Sequence, residues 1–307
     1  MDTNILPKTL LEAVQYFSDN RTCVEFVRNL HWPDGNATCF HCGSAHVKAL
    51  SNSQLWKCYD CKKKFSVKMG TIFEKSPLPL SKWLPAMWLL MNAKNGVSSC
   101  EIARSIGVCQ KTAWFMMHRI REAMRNGSFL KLSGVVEADE TFIGGNDSNR
   151  HADKKHGGRE SKSIVMGMVQ RKGNVVSKVI DNTLGATMKN ELRKHVAEES
   201  VLYTDESNSY NGLGGKYYRD SVNHFEKEFV RGDVHTNTIE NYWSLFKRTL
   251  KGTYIHVAPF HLDRYLDEQA IRYNLRKGDD GSRFEQVASQ TIGRRLTWKE
   301  LTGQTAI

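Results

Sequence analysis

The stretch His235-Thr-Asn-Thr-Ile-Glu-Asn-Tyr-Trp-Ser-Leu-Phe-Lys-Arg248 decides how the rest of the chain is read. Ile239, Trp243, Phe246 and Leu250 recur at helical spacing and predict a buried apolar stripe. Asn237, Glu240, Ser244, Lys247 and Lys251 follow a similar spacing on the neighbouring stripe. Thr236 or Asn237 can cap the start, and Glu240 falls in the first turn, where a carboxylate is favourable. A carboxylate and, two turns on, an ammonium therefore share one edge of a helix anchored by aromatics. By itself such a pair suits a plain solvated face equally well.

Two upstream stretches change that balance. Gly134-Val-Val-Glu-Ala-Asp139-Glu-Thr-Phe-Ile143 is a short strand pattern running into acids, and Ser200-Val-Leu-Tyr-Thr-Asp205-Glu-Ser places another Asp where its apolar run stops. Carboxylates at strand ends converge at one edge of a sheet, where α/β proteins build their sites. Asp139, Asp205 and Glu240 can therefore meet around hard divalent cations, which prefer oxygen ligands. A pair of such ions activates water and stabilises a departing phosphate-ester oxygen.

The order Asp139, Asp205, then Glu240 about 35 residues later, with Lys247 two turns beyond, resembles the DDE transposases of bacterial insertion sequences. The string from His235 to Lys247 is similar to the subgroup that carries an N-terminal zinc ribbon and is related to eukaryotic Merlin elements. The resemblance spans roughly residues 15–275. It implies a ribonuclease-H-like core, two Mg²⁺ ions held by Asp139, Asp205 and Glu240 and replaceable by Mn²⁺, and phosphodiester chemistry on DNA. Glu137, Glu140 and Glu206 adjoin the chosen acids, and strand alternation puts Glu137 on the face of Asp139 and Glu140 on the opposite one. Asp139 and Asp205 are preferred because the family's motif falls there. Asp233 and His235 are secondary candidates.

The composition agrees with a soluble globular protein: 307 residues, 40% hydrophobic and 25% charged. A net charge of +11 favours a polyanionic partner, although a merely basic protein has the same property. No apolar run reaches spanning length, and the N-terminus lacks a signal-peptide pattern. Seven cysteines, an odd number, argue against a pure disulfide framework and suit a reducing interior. The expected location is the bacterial cytoplasm, on the nucleoid.

Residues 8–30 read as one amphipathic helix, broken at Trp32-Pro33-Asp34-Gly35. Cys39-Phe-His-Cys42 and Cys58-Tyr-Asp-Cys61, separated by 15 residues, then predict one tetrahedral, structural zinc per chain. His41 and His46 are bystanders beside four cysteines, and Cys23, Cys100 and Cys109 lack partners at metal spacing. Residues 53–58 and 64–68 look like ribbon strands. Residues 57–82 hold seven Lys against Asp60 and Glu74, with Trp56, Tyr59 and Phe65 among them. Lys62, Lys63 and Lys64 are candidates for DNA backbone contact, and a solvated surface is the alternative.

Residues 81–91 read as a buried helix ended by Asn95-Gly96. Ser98 and Glu101 fit a capping box opening a helix to Ile106; Gly107-Val108 turns, and Gln110–Arg125 forms a longer helix. Short helix, glycine turn and longer helix make a helix-turn-helix pattern, or a plain helical connector. In the former, Gln110, Lys111 and Thr112 are base-edge readers, flanked by Trp114, His118, Arg119 and Arg121. Residues 146–162 read as an exposed polar arm ordered by DNA, or a simple insertion. Residues 163–171 and 174–181 are strands joined by a Lys172-Gly173 turn. Helices are expected over 187–198 and 262–275, and a further strand over 216–224.

The expectation is a multi-domain chain of α+β and α/β character. Residues 1–80 hold a helix and a zinc ribbon, 81–130 a helix-turn-helix region, 131–276 a mixed sheet flanked by helices, and 277–307 a weakly periodic tail. The function expected is a transposase that holds terminal inverted repeats as a homodimer or higher oligomer, cleaves there, and joins the freed 3′-hydroxyl to target DNA. Lys247 would grip a phosphate. The alternatives are a DNA-binding regulator with an inactive core and a structure-selective nuclease.

Overall fold

The computed structural model describes residues 6–50, 54–125, 131–145, 162–213, 215–222, 226 and 228–304. The polar arm expected over 146–162 lies almost wholly outside them. The chain divides into two compact units, one of residues 1–125 with 275–307 and one of residues 126–274.

The first unit opens with α1 (Leu10–Tyr16) and α2 (Asn20–His31), where one helix was expected. Thr9 and Glu12 close a capping box on α1. Asp19 accepts from the Thr22 backbone N–H and starts a second helix, so the polar triplet Ser18-Asp19-Asn20 is a break, not a helical face. A three-stranded antiparallel ribbon follows: β1 (Val47–Ala49), β2 (Trp56–Cys58) and β3 (Lys64–Phe65). β1 lies outside the strands expected. Then come α3 (Leu80–Asn92), α4 (Ser99–Ile106) and α5 (Gln110–Met124). Ser98 caps α4 by accepting from the Glu101 N–H, and Gly107 ends it in the left-handed conformation at φ 63°.

The second unit begins with β4 (Val135–Ile143), β5 (Ser163–Gln170) and β6 (Val175–Ile180), then α6 (Gly185–His195), β7 (Val201–Thr204) and β8 (Tyr218–Ser221). It ends with α7 (Asn237–Thr249), one π-helical turn at Leu250–Tyr254, and α8 (Leu262–Asn274). The sheet order is β6-β5-β4-β7-β8. β4, β5 and β6 pair antiparallel, while β7 runs parallel to both β4 and β8. Each face carries its own core, as period-two alternation requires. Ala138, Met166, Met168 and Leu202 pack on Met188 and Leu192 of α6. Val165, Val169 and Val175 pack on Ile239, Tyr242, Trp243 and Phe246 of α7 and Leu266 of α8.

The C-terminal residues return to the first unit as α9 (Asp280–Ser289) and α10 (Trp298–Leu301). Phe284 lies 5.4 Å from Phe17, 5.7 Å from Phe26 and 5.2 Å from Trp88, between ring centroids. The Thr291 carbonyl accepts from Ile72 N–H, and the Gly70 carbonyl from Gly293 N–H. Arg294 Nη1 donates to the carbonyls of Glu122, Ala123 and Arg125, which close the end of α5. The weakly periodic tail is thus a packed part of the first unit. Its apolar stripe is only Phe284, Val287 and Ala288, too short to stand out of the polar background.

Candidate active site and metal centre

The zinc ribbon brings the Sγ atoms of Cys39, Cys42, Cys58 and Cys61 within 4.8 Å of one another. The Cys39–Cys61 and Cys42–Cys58 separations are both 3.6 Å. A tetrahedron with metal–sulfur bonds of about 2.3 Å has edges of about 3.8 Å, so the donor set fits zinc. The two knuckles repeat one turn. Gly43 follows the first at φ 74°, and Lys62 occupies the matching place in the second at φ 63°. Backbone N–H groups of His41 and Cys61 point at Cys39 and Cys58 sulfur, at 3.3 and 3.5 Å. The Cys61 N–H, with that of Asp60, draws the Cys58 thiol down to about 6, and the thiolate is the form that binds metal. His46 is bonded to Asp60 through Nδ1 at 3.0 Å, and neither it nor His41 joins the cluster.

In the second unit the register sets the acids. β4 and β7 pair as Val135–Val201, Val136–Leu202 and Glu137–Tyr203. Asp139 and Asp205 each lie two places beyond that last pair, and the charge of Asp205 acts on Asp139. Opposite Asp139 on β5 stands Gly167. A Cβ there would lie 2.5 Å from Trp243 Cζ2 and 2.8 Å from Ile239 Cδ1. The glycine thus lets α7 approach the sheet closely enough for Trp243 Nε1 to donate to Asp139 Oδ2 at 3.0 Å. Burial raises Asp139 to about 7, aided by the charges of Glu140 and Asp205. Glu140 faces the other side of the sheet and accepts from the buried Tyr210 hydroxyl at 2.9 Å. Asp205 Oδ1 accepts from the Ser207 N–H at 3.1 Å, and its carbonyl from Arg219 Nη2 at 3.2 Å.

Glu240 lies on the exposed edge of α7 and accepts from the Thr236 hydroxyl at 2.8 Å. Among the described residues the four cysteines are the one group of three or more His, Cys, Asp or Glu gathered as a metal site, and Asp139, Asp205 and Glu240 are not gathered in this way. Neither Thr236 nor Asn237 caps α7 with its own side chain. The cap is Glu137, fully buried on β4. Its Oε2 accepts from the Thr238 and Ile239 N–H groups at 2.7 and 3.1 Å, and its Oε1 from Thr238 Oγ1 at 2.8 Å and Arg171 Nε at 2.7 Å. Arg171 also donates to the carbonyls of Asp233 and His235, so these two secondary candidates serve through their backbone. The sequence carried a partial signal for Glu137, its same-face spacing from Asp139, and for Gly167, a glycine inside a strand. It carried none for Arg171.

The proposed DNA contacts divide. Lys247 is exposed on the edge that bears Glu240. Lys62, Lys63 and Lys64 are exposed on the second knuckle, whereas Trp56 and Phe65 turn inward as the ribbon's core. Gln110 and Lys111 are exposed at the start of α5, Lys111 Nζ lying 4.9 Å over the Trp298 ring. Thr112 is half-buried, its hydroxyl 3.1 Å from Cys109 Sγ. Arg119 is a correction. It is 4% exposed, donates to the Glu74 carbonyl at 2.7 Å, and lies against Trp83 and Phe115. His118 and Arg121 are buried as well. These side chains fall on the inward face of α5, where helical spacing puts Met117, Ile120 and Met124, and the cations follow the packing.

Residues 131–274 match the ISXO2-like transposase domain, and residues 18–64 match the transposase zinc-ribbon domain. An uncharacterized transposase-like protein of Haemophilus influenzae is 30% identical over 104 residues, covering 34% of this chain and 83% of that protein. The chain belongs to the zinc-ribbon transposases of insertion sequences. A second relative, an uncharacterized protein in transposable element ISH50 of Halobacterium salinarum, is 25% identical over 254 residues, covering 77% of this chain and 85% of that one. In this transposase the zinc-ribbon match contains all four clustered cysteines, and the domain match contains Asp139, Asp205 and Glu240. No helix of the described residues is long and apolar enough to cross a membrane.

Proposed function

We propose that this transposase holds the terminal inverted repeats of its element and cleaves and joins DNA through Asp139, Asp205 and Glu240, in a ribonuclease-H-like core. The observation that carries the reading is the β4–β7 pairing, whose last pair, Glu137–Tyr203, stands two places before Asp139 and Asp205, together with Trp243, which ties the helix bearing Glu240 to Asp139. The sheet order β6-β5-β4-β7-β8, three antiparallel strands followed by two parallel ones, supports that fold. The donor chemistry fits a hard cation: Asp139, raised to about 7 by burial and then by the charges of Glu140 and Asp205, is an oxygen donor that a divalent neighbour would stabilise in its ionised form. Two Mg²⁺ ions bound there would supply a water nucleophile at neutral pH and neutralise charge on the departing 3′-oxygen. Asp139 is held in place by Trp243, and Asp205 by its short turn onto Ser207. Glu240 adds the third carboxylate from the helix edge, and Lys247 meets a phosphate two turns on as a point charge. Water attacks phosphorus and the bond to the 3′-oxygen breaks; the freed 3′-hydroxyl then attacks a target phosphodiester in the same site, and the target strand's own 3′-oxygen leaves.

The end sequence is read by α4 and α5 as a helix-turn-helix, with Gln110, Lys111 and Thr112 at the start of the second helix entering the major groove. Lys62, Lys63 and Lys64 contact phosphates. The protein works on DNA as a homodimer or higher oligomer. The test is a cleavage and strand-transfer assay on end-containing duplex. Asp139→Ala, Asp205→Ala and Glu240→Ala should each lose roughly a hundredfold or more in rate while end binding persists, since binding rests on salt-sensitive contacts of the first unit. Mn²⁺ should replace Mg²⁺. Full activity from Glu240→Ala, or parental cleavage in excess chelator, overturns the mechanism.

A further inference from the structure

A second tier of residues lies beneath the three acids. Glu137 precedes Asp139 by two positions, Tyr203 precedes Asp205 by two, and Thr238 precedes Glu240 by two. Glu137 connects the other two. Glu137 and Tyr203 are register partners on β4 and β7. Glu137 takes both the backbone N–H and the hydroxyl of Thr238. Arg171 completes the tier: it donates to Glu137, lies 4.7 Å over the Tyr203 ring, and holds the carbonyls of Asp233 and His235 that lead into α7. His235 Nδ1 stands 3.4 Å from Glu137 Oε1.

We propose that Glu137 and Arg171 are the positioning residues of the acid site: an ionic clamp with a buried carboxylate and a half-buried guanidinium that sets the start of α7, and with it Glu240, against the strand ends bearing Asp139 and Asp205. The proposal rests on the function proposed above. Glu137 is not a fourth ligand. A carboxylate offers about four lone-pair sites, and four donors already fill them. Its charge is matched by the guanidinium and by the positive end of α7, so it sits without exposure in a place where an unpaired carboxylate would not. Each acid is two residues from a clamped group, so a slip of α7 at the clamp displaces Glu240 directly.

The experiment compares the full-length parent with Glu137→Gln, Arg171→Lys, Thr238→Val and Met188→Ala, the last a core control on the opposite sheet face. Glu137→Gln keeps the shape but turns an amide toward donors. It should lower kcat for end cleavage in Mg²⁺ by about ten- to a hundredfold with KM for the end duplex unchanged. Amide exchange at Ile239–Asn241 should speed up by a similar factor. Arg171→Lys and Thr238→Val should fall in between, and they carry the test if Glu137→Gln does not fold. Met188→Ala should melt earlier yet keep parental kcat per folded molecule. Parental kcat in all three clamp variants, or equal kcat loss in Met188→Ala, overturns the clamp and leaves the acids' role standing. A parent that does not cleave overturns the acid-site reading and the clamp with it.

Discussion

Gly167 is the residue at which the smallest change should be felt most. A Cβ there meets the Trp243 ring at 2.5 Å and Ile239 at 2.8 Å, and both are buried side chains rather than flexible ends. Gly167→Ala should cost about 1–3 kcal/mol and move Trp243 off Asp139. Chemical denaturation and a shifted tryptophan emission would check it; unchanged stability would mean that α7 stands further from β5. Asp139 gives a second test, in pH. Its folded value of about 7 lies above the ordinary 3.8, so the fold favours the protonated acid. Its contribution is fully present below 3.8, falls as pH rises, and is gone above about 7. Metal-free Asp139→Asn should therefore melt above the metal-free parent at pH 8, and the gap should narrow as pH falls toward 4. A gap that does not depend on pH would show that burial, with the charges of Glu140 and Asp205, does not raise Asp139.

Among elements, the ribbon and α7 mark what local pattern reveals and what it hides. The paired Cys-x-x-Cys turns were legible because a knuckle is local: both ligands of each pair come from one turn. Cys58→Ser should release the metal and unfold residues 39–65, seen as lost zinc by elemental analysis of protein purified without chelator. Retained zinc would reassign the ligands. The apolar stripe of α7 was equally plain, since Ile239, Trp243 and Phe246 needed only helical spacing. Its cap was not, because Glu137 lies 101 positions from Thr238 and only the fold brings them together. The same limit explains Arg119, whose partner Glu74 carbonyl is 45 positions away. The break between α1 and α2 is local yet hidden, since apolar spacing runs through it from Phe17 to Cys23 while Asp19 restarts the helix. Arg294→Ala should leave the end of α5 without a donor at three carbonyls, costing about 1–3 kcal/mol. Faster amide exchange confined to the last turn of α5 would register it, and exchange at the parental rate would show that the guanidinium contributes nothing there.

At the scale of the molecule, the first unit is built from both ends of the chain and the second lies between them in sequence. A chain ending at residue 276 should therefore lose order in the segment that precedes residue 126, not in the sheet that carries Asp139. Phe284→Ala tests the same dependence more gently. Removing a ring packed on Phe17, Phe26 and Trp88 should cost about 3–5 kcal/mol. Limited proteolysis should then cut α1 to α5 first; cutting in the second unit first would contradict the arrangement. In sequence, residues 277–307 stand apart as a weakly periodic tail, because discontinuity of this kind has no signature in any single stretch.

That discontinuity also orders events at the ribosome. Residues 126–274 emerge as one continuous run and can close their sheet as soon as they are clear of the exit tunnel. The helices before residue 126 that pack on Phe284 and Arg294 must wait for those residues, some 150 residues later, on the order of ten seconds at ordinary elongation rates. A chain released early by a stop codon or a broken message would carry the acids on a finished sheet beside an unfinished first unit. Completion of that unit is thus tied to translation past residue 294.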